Sequence, residues 1–186
     1  MSDLICELVK EDDPFLRETP EEFNFDNPQV DSEKLVDQLF ANMIHHNGVG
    51  LSANQIGIPV RVFAMATDDE NGIVVFNPEI IEWSDETTYI KEGCLSFPGL
   101  YVAIERAQSI FAKFKFFDGE EQGASFTDMS ARIFQHESEH MDGDIFTDNV
   151  SGFKLKSAMK KRKQYLRKLK KIRRQNGRSK KRNRGN

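Results

Sequence analysis

Two histidines four residues apart, with a glutamate directly after the first, make His136-Glu137-Ser138-Glu139-His140 the segment best equipped for chemistry. On an α-helix, positions i and i+4 lie one turn apart on one face, so both imidazoles can reach the same metal ion. Glu137 would stand beside a metal-bound water and take its proton as a general base. Two ligands do not finish a catalytic site, which holds its metal by three protein groups and leaves a fourth position open. Zinc proteases with this motif draw the third ligand, a His or Glu, from further along the chain. No His or Glu follows His140 here. Asp142, Asp144 and Asp148 are at hand, but Cys94 offers a softer thiolate. It lies in Glu92-Gly93-Cys94-Leu95-Ser96-Phe97-Pro98-Gly99, where glycines and a proline shape an irregular backbone. Alone, such a cysteine is ordinary buried packing; beside the His-Glu-x-x-His motif it becomes a ligand candidate.

The histidine pair needs a helix beneath it, and the pattern supplies one over residues 128–142, capped near Thr127 or Asp128 and stopped by Gly143. An earlier helix is expected over 33–46, with Asp31 or Ser32 as its cap and Leu35, Val36, Leu39, Phe40 and Met43 at helical spacing. The segment from Gly48 to Gly57 is rich in small residues and reads as loop. Strands are expected at 60–66 and 73–76, the second ended by Asn77-Pro78. A hairpin would run through 109–117, turn at Asp118-Gly119 and return through 124–126. Strands followed by a helix, rather than alternating units, predict an α+β chain.

Three segments in order resemble the signature motifs of peptide deformylases. They are Gly48-Val49-Gly50-Leu51-Ser52-Ala53-Asn54-Gln55, Glu92-Gly93-Cys94-Leu95-Ser96 and Gln135-His136-Glu137-Ser138-Glu139-His140. Looser similarity through Ile58-Pro59 and Asn77-Pro78 carries the likeness over residues 12–150. The resemblance implies small antiparallel or mixed sheets packed around a central metal-binding helix. It also implies metal-dependent removal of the formyl group from formyl-methionyl nascent peptides. Cys94, His136 and His140 would hold one divalent ion, iron(II) in the cell, with zinc, nickel or cobalt as substitutes. Glu137 would be the base, and the Gln55 amide and the Leu95 backbone N–H would face the developing oxyanion. Val49, Gly50, Ile90 and Ile133 stand at or near the substrate-binding positions, with Leu95 beside them. Glu92 would pair with Arg106 to brace the cysteine loop. Three positions depart from the family pattern: Ser52 where alanine is common, Glu139 where aspartate is usual, and Arg132 where many relatives have an apolar pocket residue. Arg132 would narrow the methionine pocket or swing out to meet the peptide, and Glu139 would alter hydrogen bonding behind a ligand.

The net charge of −4 hides two unlike parts. Residues 1–152 carry 9 Lys+Arg against all 30 Asp+Glu, whereas 153–186 carry 17 Lys+Arg and no acid. The first part is read as the catalytic domain. The second, with Leu155, Met159, Leu166, Leu169 and Ile172 on one stripe, is read as a basic C-terminal helix ending in a disordered tail from Arg178. By similarity, the stretch from Lys154 to Arg174 looks like a basic version of the helix with which bacterial deformylases dock on the ribosome. Cations at that density bind RNA phosphates. On this reading the tail can be removed after Gly152 without harm to turnover of a short peptide. Cys6 and Cys94 imply no disulfide framework, no stretch approaches the roughly 18 apolar residues of a membrane span, and the acidic start lacks a basic, apolar leader. A cytoplasmic protein is expected. A protease acting on internal bonds would leave the first two motifs unexplained. An RNA-binding protein with a structural zinc site would lack the fourth protein ligand.

Overall fold

The computed structural model describes residues 4–67 and 71–182, with backbone alone from 173 onward. Asp31 accepts the N–H of Lys34 at 2.9 Å and so starts α1 (Ser32–His45), whose stripe of Leu35, Leu39 and Met43 is buried. There follow β1 (Gly50–Ser52), β2 (Val62–Ala66), β3 (Gly72–Trp83), β4 (Thr87–Glu92), β5 (Val102–Ala107), β6 (Ser109–Lys115) and β7 (Glu121–Thr127). Then come α2 (Asp128–Met141) and α3 (Gly152–Arg182). Strands β1-β2-β3-β6-β7 form one sheet in that order, and β4-β5 form a separate pair. Every ladder between these strands is antiparallel, with one isolated parallel bridge from Glu21 to Val60. The chain is α+β, as expected.

Strand β2 decides the layering. Its Val62 and Ala64 join the cluster of Leu35, Leu39 and Leu51, while Phe63 and Met65 join Ala131, Phe134 and Met141 of α2. A strand buried on both faces reads as an unbroken apolar run, here Val-Phe-Ala-Met-Ala. Helix α2 packs against β1, β2, β6 and β7 of the large sheet and against β5 of the small one. Residues 130–137 are therefore buried on every face, with His140 and Met141. Gly143 ends this stretch at φ 76°, where an added Cβ would lie 2.6 Å from the Arg17 carbonyl oxygen.

Several elements differ from expectation. The small-residue segment from Gly48 is not all loop: β1 pairs with β2, and Ala53–Ile56 forms a 3₁₀ turn. Strand β3 runs through Asn77-Pro78 to Trp83 because Asn77 takes φ 49° in a bulge, where the register against β6 shifts between Phe76 and Glu79. The Asn77 side chain ties that bulge to the N–H and C=O of Phe23, at 2.7 and 3.0 Å, so the proline is absorbed rather than ending the strand. Strands β4 and β5 were not expected at all. Before Glu92, β4 has no buried residue, and the inward row of β5 reads Val102, Ile104, Arg106, a cation where the pattern wants an apolar side chain.

Helix α3 continues through Asn176-Gly177 to Arg182, beyond the expected end, since one glycine costs a helix of good formers only about 1 kcal/mol. Residues 183–186, at the end of the expected tail, lie outside the described residues. The start of α3 belongs to the body. Ala158 and Leu155 join the cluster of Leu16, Cys94, Phe97, Leu100 and Val102. Arg162 donates to the Pro98 carbonyl at 2.9 Å and to Glu11 at 3.0 Å.

Candidate metal centre

The loop between β4 and β5 carries Cys94, and it is held by turns that bond the Phe97 N–H to the Cys94 carbonyl and the Leu100 N–H to the Phe97 carbonyl. Phe97 and Leu100 anchor it below, Phe97 edge-on to Phe146 at 5.5 Å. Opposite it, α2 presents His136 and His140 one turn apart. One donor atom each from Cys94, His136 and His140 lies within 4.8 Å of the others, and all three residues are buried. The His140 Nε2 is 3.4 Å from the Cys94 Sγ. The His136 Nδ1 lies 3.0 Å from the Glu92 carboxylate, which can only accept, so Nδ1 carries a proton and Nε2 is the nitrogen that a metal would take in place of a proton. The Glu137 Oε2 and the His140 Nδ1 are buried without a hydrogen-bond partner among the described residues. A thiolate and two imidazoles with such buried, unspent donors suit a divalent transition-metal ion.

Electrostatics point the same way. Burial opposes charge on His136, yet Cys94 and Glu92 bond to it and Glu137 lies near, and together they hold its pKa up at about 10. Burial, then the neighbouring His136, push His140 down to about 3. Burial lifts the Glu137 carboxyl to about 7 against the pull of His136 and Arg106. A pocket that draws a proton so strongly onto one ligand nitrogen offers a cation the same negative field.

Behind the ligands, Glu92 accepts from the Arg106 Nε at 2.6 Å and Nη2 at 2.9 Å, from the Arg132 Nη1, and from His136. Burial would raise its carboxyl, but His136 and Arg106 hold it at about 2. Arg106 also grips both oxygens of Glu139 at 2.8 Å. The longer acid at 139 thus reaches an arginine. Arg132 is 3% exposed and does not swing out toward the peptide: it donates to the Thr88 carbonyl and hydroxyl at 2.7 Å and to the Ile104 carbonyl at 3.1 Å.

Gln55 is pinned at both ends. Its Oε1 accepts from the Ser52 N–H at 3.0 Å and from the Ser52 hydroxyl at 3.1 Å, which leaves Nε2 aimed at the Cys94 Sγ and the Ser96 hydroxyl, each at 3.2 Å. Gly50 is required by contact, for a Cβ there would fall 2.4 Å from the Glu137 Oε1. Val49, Gly50, Gln55, Leu95, Ile133 and Glu137 all line one cleft of about 820 Å³ that also contains Cys94 and His136. Ile90 does not. It sits on the edge strand of the small sheet, 43% exposed, and Met129 and Tyr101 contribute to the lining instead. Asn54 escaped the sequence reading: its amide donates to the His140 carbonyl at 3.0 Å and ties the first motif to the end of α2. The signal was its place beside Gln55.

A family model described as polypeptide deformylase matches residues 5–156. The chain belongs to the polypeptide deformylase family. Members of this deformylase family are metal-dependent hydrolases that remove formyl groups from nascent peptides. Among relatives, a peptide deformylase of Bartonella henselae is 35% identical over 158 residues, which is 83% of this chain and 89% of that protein. One from Thermotoga maritima is 42% identical over 120 residues, 64% of this chain and 72% of that protein. Peptide deformylase 1B of Arabidopsis thaliana superimposes with a TM-score of 0.76 at 33% identity, covering 89% of this chain and 92% of that one. A deformylase of Acinetobacter baumannii, solved with Met-Ala-Ser bound, gives 0.72 at 29% identity over 78% and 98%. Among the described residues, no helix is long and apolar enough to cross a membrane.

Proposed function

We propose that this chain removes the formyl group from the N-terminal formyl-methionine of nascent polypeptides by metal-dependent hydrolysis, releasing formate. The observation that carries the reading is the meeting of Cys94, His136 and His140 in one buried cluster, beside a cleft that Glu137 lines. An ion held by these three residues would supply Lewis acidity and a water of lowered pKa. Glu137 takes the proton of the attacking water and delivers it to the departing amine. The Gln55 Nε2 and the Leu95 backbone N–H donate to the formyl oxygen as charge develops on it. One such donor is worth about 3–4 kcal/mol of barrier. The substrate backbone runs along Val49 and Gly50, with Ile133 and Leu95 against the methionine side chain. That a deformylase of Acinetobacter baumannii is solved with Met-Ala-Ser bound supports a short peptide of this kind as the ligand.

Thiolate with two imidazoles suits iron(II), zinc, nickel or cobalt, and resemblance to the family favours iron(II) in the cell, which would make the enzyme oxygen-sensitive. The chain would work in the cytoplasm, with α3 docking on the ribosome, its RNA or protein, through a surface rich in cations. The deciding experiment incubates anaerobically purified protein with formyl-Met-Ala-Ser and an unformylated control. Formate from the formylated peptide alone, stopped by a chelator, is the expected result. No formate after iron(II), zinc or nickel is restored would overturn the reading.

A further inference from the structure

We propose that the groove between α3 and the β4–β5 sheet binds acidic side chains on the substrate peptide, downstream of its formyl-methionine; this rests on the deformylase reading above. The groove holds about 470 Å³, and its walls include Tyr89, Lys91, Tyr101, Phe153, Lys161 and Tyr165. Lys91, Gly99 and Tyr101 also line the catalytic cleft, so the two cavities share a wall. A nascent chain whose formyl end lies at Glu137 is longer than the cleft, and this shared wall gives its later residues a continuous surface to follow.

The chemistry of that surface is one-sided. Lys91, Lys154, Lys161 and Arg162 line the groove, and among the described residues no Asp or Glu does. The first 152 residues carry all 30 acids of the chain, yet the residues they lend to this strip include Lys91 and none of those acids. Two of the cations are occupied. Arg162 holds Glu11 and the Pro98 carbonyl, and the Lys154 ammonium sits 4.9 Å over the Tyr89 ring, joining one wall to the other. Lys91 and Lys161 form no ion pair among the described residues. Tyr101 at 64% exposure and Phe153 at 86% offer apolar faces to a peptide backbone between them. A carboxylate following the chain out of the cleft meets Lys91 first and Lys161 beyond it; a lysine there meets repulsion.

The test compares formyl-Met-Ala-Ser-Glu-Glu-Glu with formyl-Met-Ala-Ser-Lys-Lys-Lys at low ionic strength, with formyl-Met-Ala-Ser as the reference substrate. The acidic peptide should show kcat/KM roughly three- to ten-fold above the basic one, expressed in KM and erased by added salt, as expected of a few exposed ion pairs. Lys161→Glu should cancel or reverse the preference while the reference tripeptide turns over as before. Lys168→Glu, on the same helix but outside the groove, should leave the preference intact. Equal rates for the two peptides, or a preference that Lys161→Glu leaves standing, would overturn the proposal. So would a preference lost as fully in Lys168→Glu, which would assign it to the general field of the helix. Inhibition by a uridine oligomer, relieved by Lys161→Glu in the absence of any peptide preference, would give the groove to RNA instead. Failure to cleave the reference tripeptide at all would count against the deformylase reading, not the groove.

Discussion

Glu92 accepts four hydrogen bonds from three cationic or cation-forming side chains, and its position decides whether His136 can bind a metal. Removing one partner of such a buried pair leaves charge uncompensated, a loss of about 3 kcal/mol or more. Arg132→Ala is therefore expected to lower stability by about that amount, with the cleft still formed, and chemical denaturation would measure it. Glu139 meets two nitrogens of Arg106, one with each carboxylate oxygen. Shortening it in Glu139→Asp withdraws the carboxylate by about 1.5 Å, and the expected result is a several-fold weaker metal affinity by chelator competition. An unchanged affinity would mean that Arg106 holds Glu92 unaided. Glu137 contacts neither arginine, and its unpartnered Oε2 has only the cleft to serve. Glu137→Gln should keep full metal occupancy by elemental analysis and lose at least about 10²-fold in kcat.

Among the elements, α3 is where structure changes an expectation most. A cut after Gly152 would strip Leu155 and Ala158 from the cluster under Cys94 and free the Pro98 carbonyl from Arg162. The expected outcome is a fall in Tm and loss of turnover even for a tripeptide. A cut after Lys170 should spare both, and comparing the two truncations by thermal melting and formate release checks this. The same helix shows what a sequence exposes. Helix α1 was legible because its apolar spacing and its Asp31 cap agree, α2 because Gly143 stops it, and the ligands of α2 because His-Glu-x-x-His has few other uses. Strand β5 was hidden by the residue that makes it functional, since Arg106 occupies an inward position and spoils the alternation. Strand β4 was hidden because a two-stranded sheet leaves its outer strand uncovered, with no alternation to read. Ser52 was legible only as a departure from the family pattern; that its hydroxyl lies 2.8 Å from the Asn54 Oδ1 and 3.1 Å from the Gln55 Oε1 is a fact that only three-dimensional contact can disclose.

At the scale of the whole molecule, salt should act on the basic helix and leave the catalytic body's work on a short peptide untouched. Ribosome association through α3 would weaken steeply between 50 and 200 mM salt, roughly tenfold or more if several phosphates are met, while turnover of formyl-Met-Ala-Ser stays level. Sedimentation with ribosomes against ionic strength would check it, and binding indifferent to salt would exclude a phosphate contact. The ligand set also imposes an order in time. Helix α2 can coil on contacts near in sequence, but Cys94 meets His140 across 46 positions, once the small sheet has closed over the helix. Pairing strands and packing them over a helix is slow beside forming the helix itself. On refolding, the two imidazoles are thus set one turn apart on α2 before the thiolate is brought to them. Metal capture would then come late, as a seal on a finished fold rather than a template for it, and refolding with and without metal should proceed at the same rate.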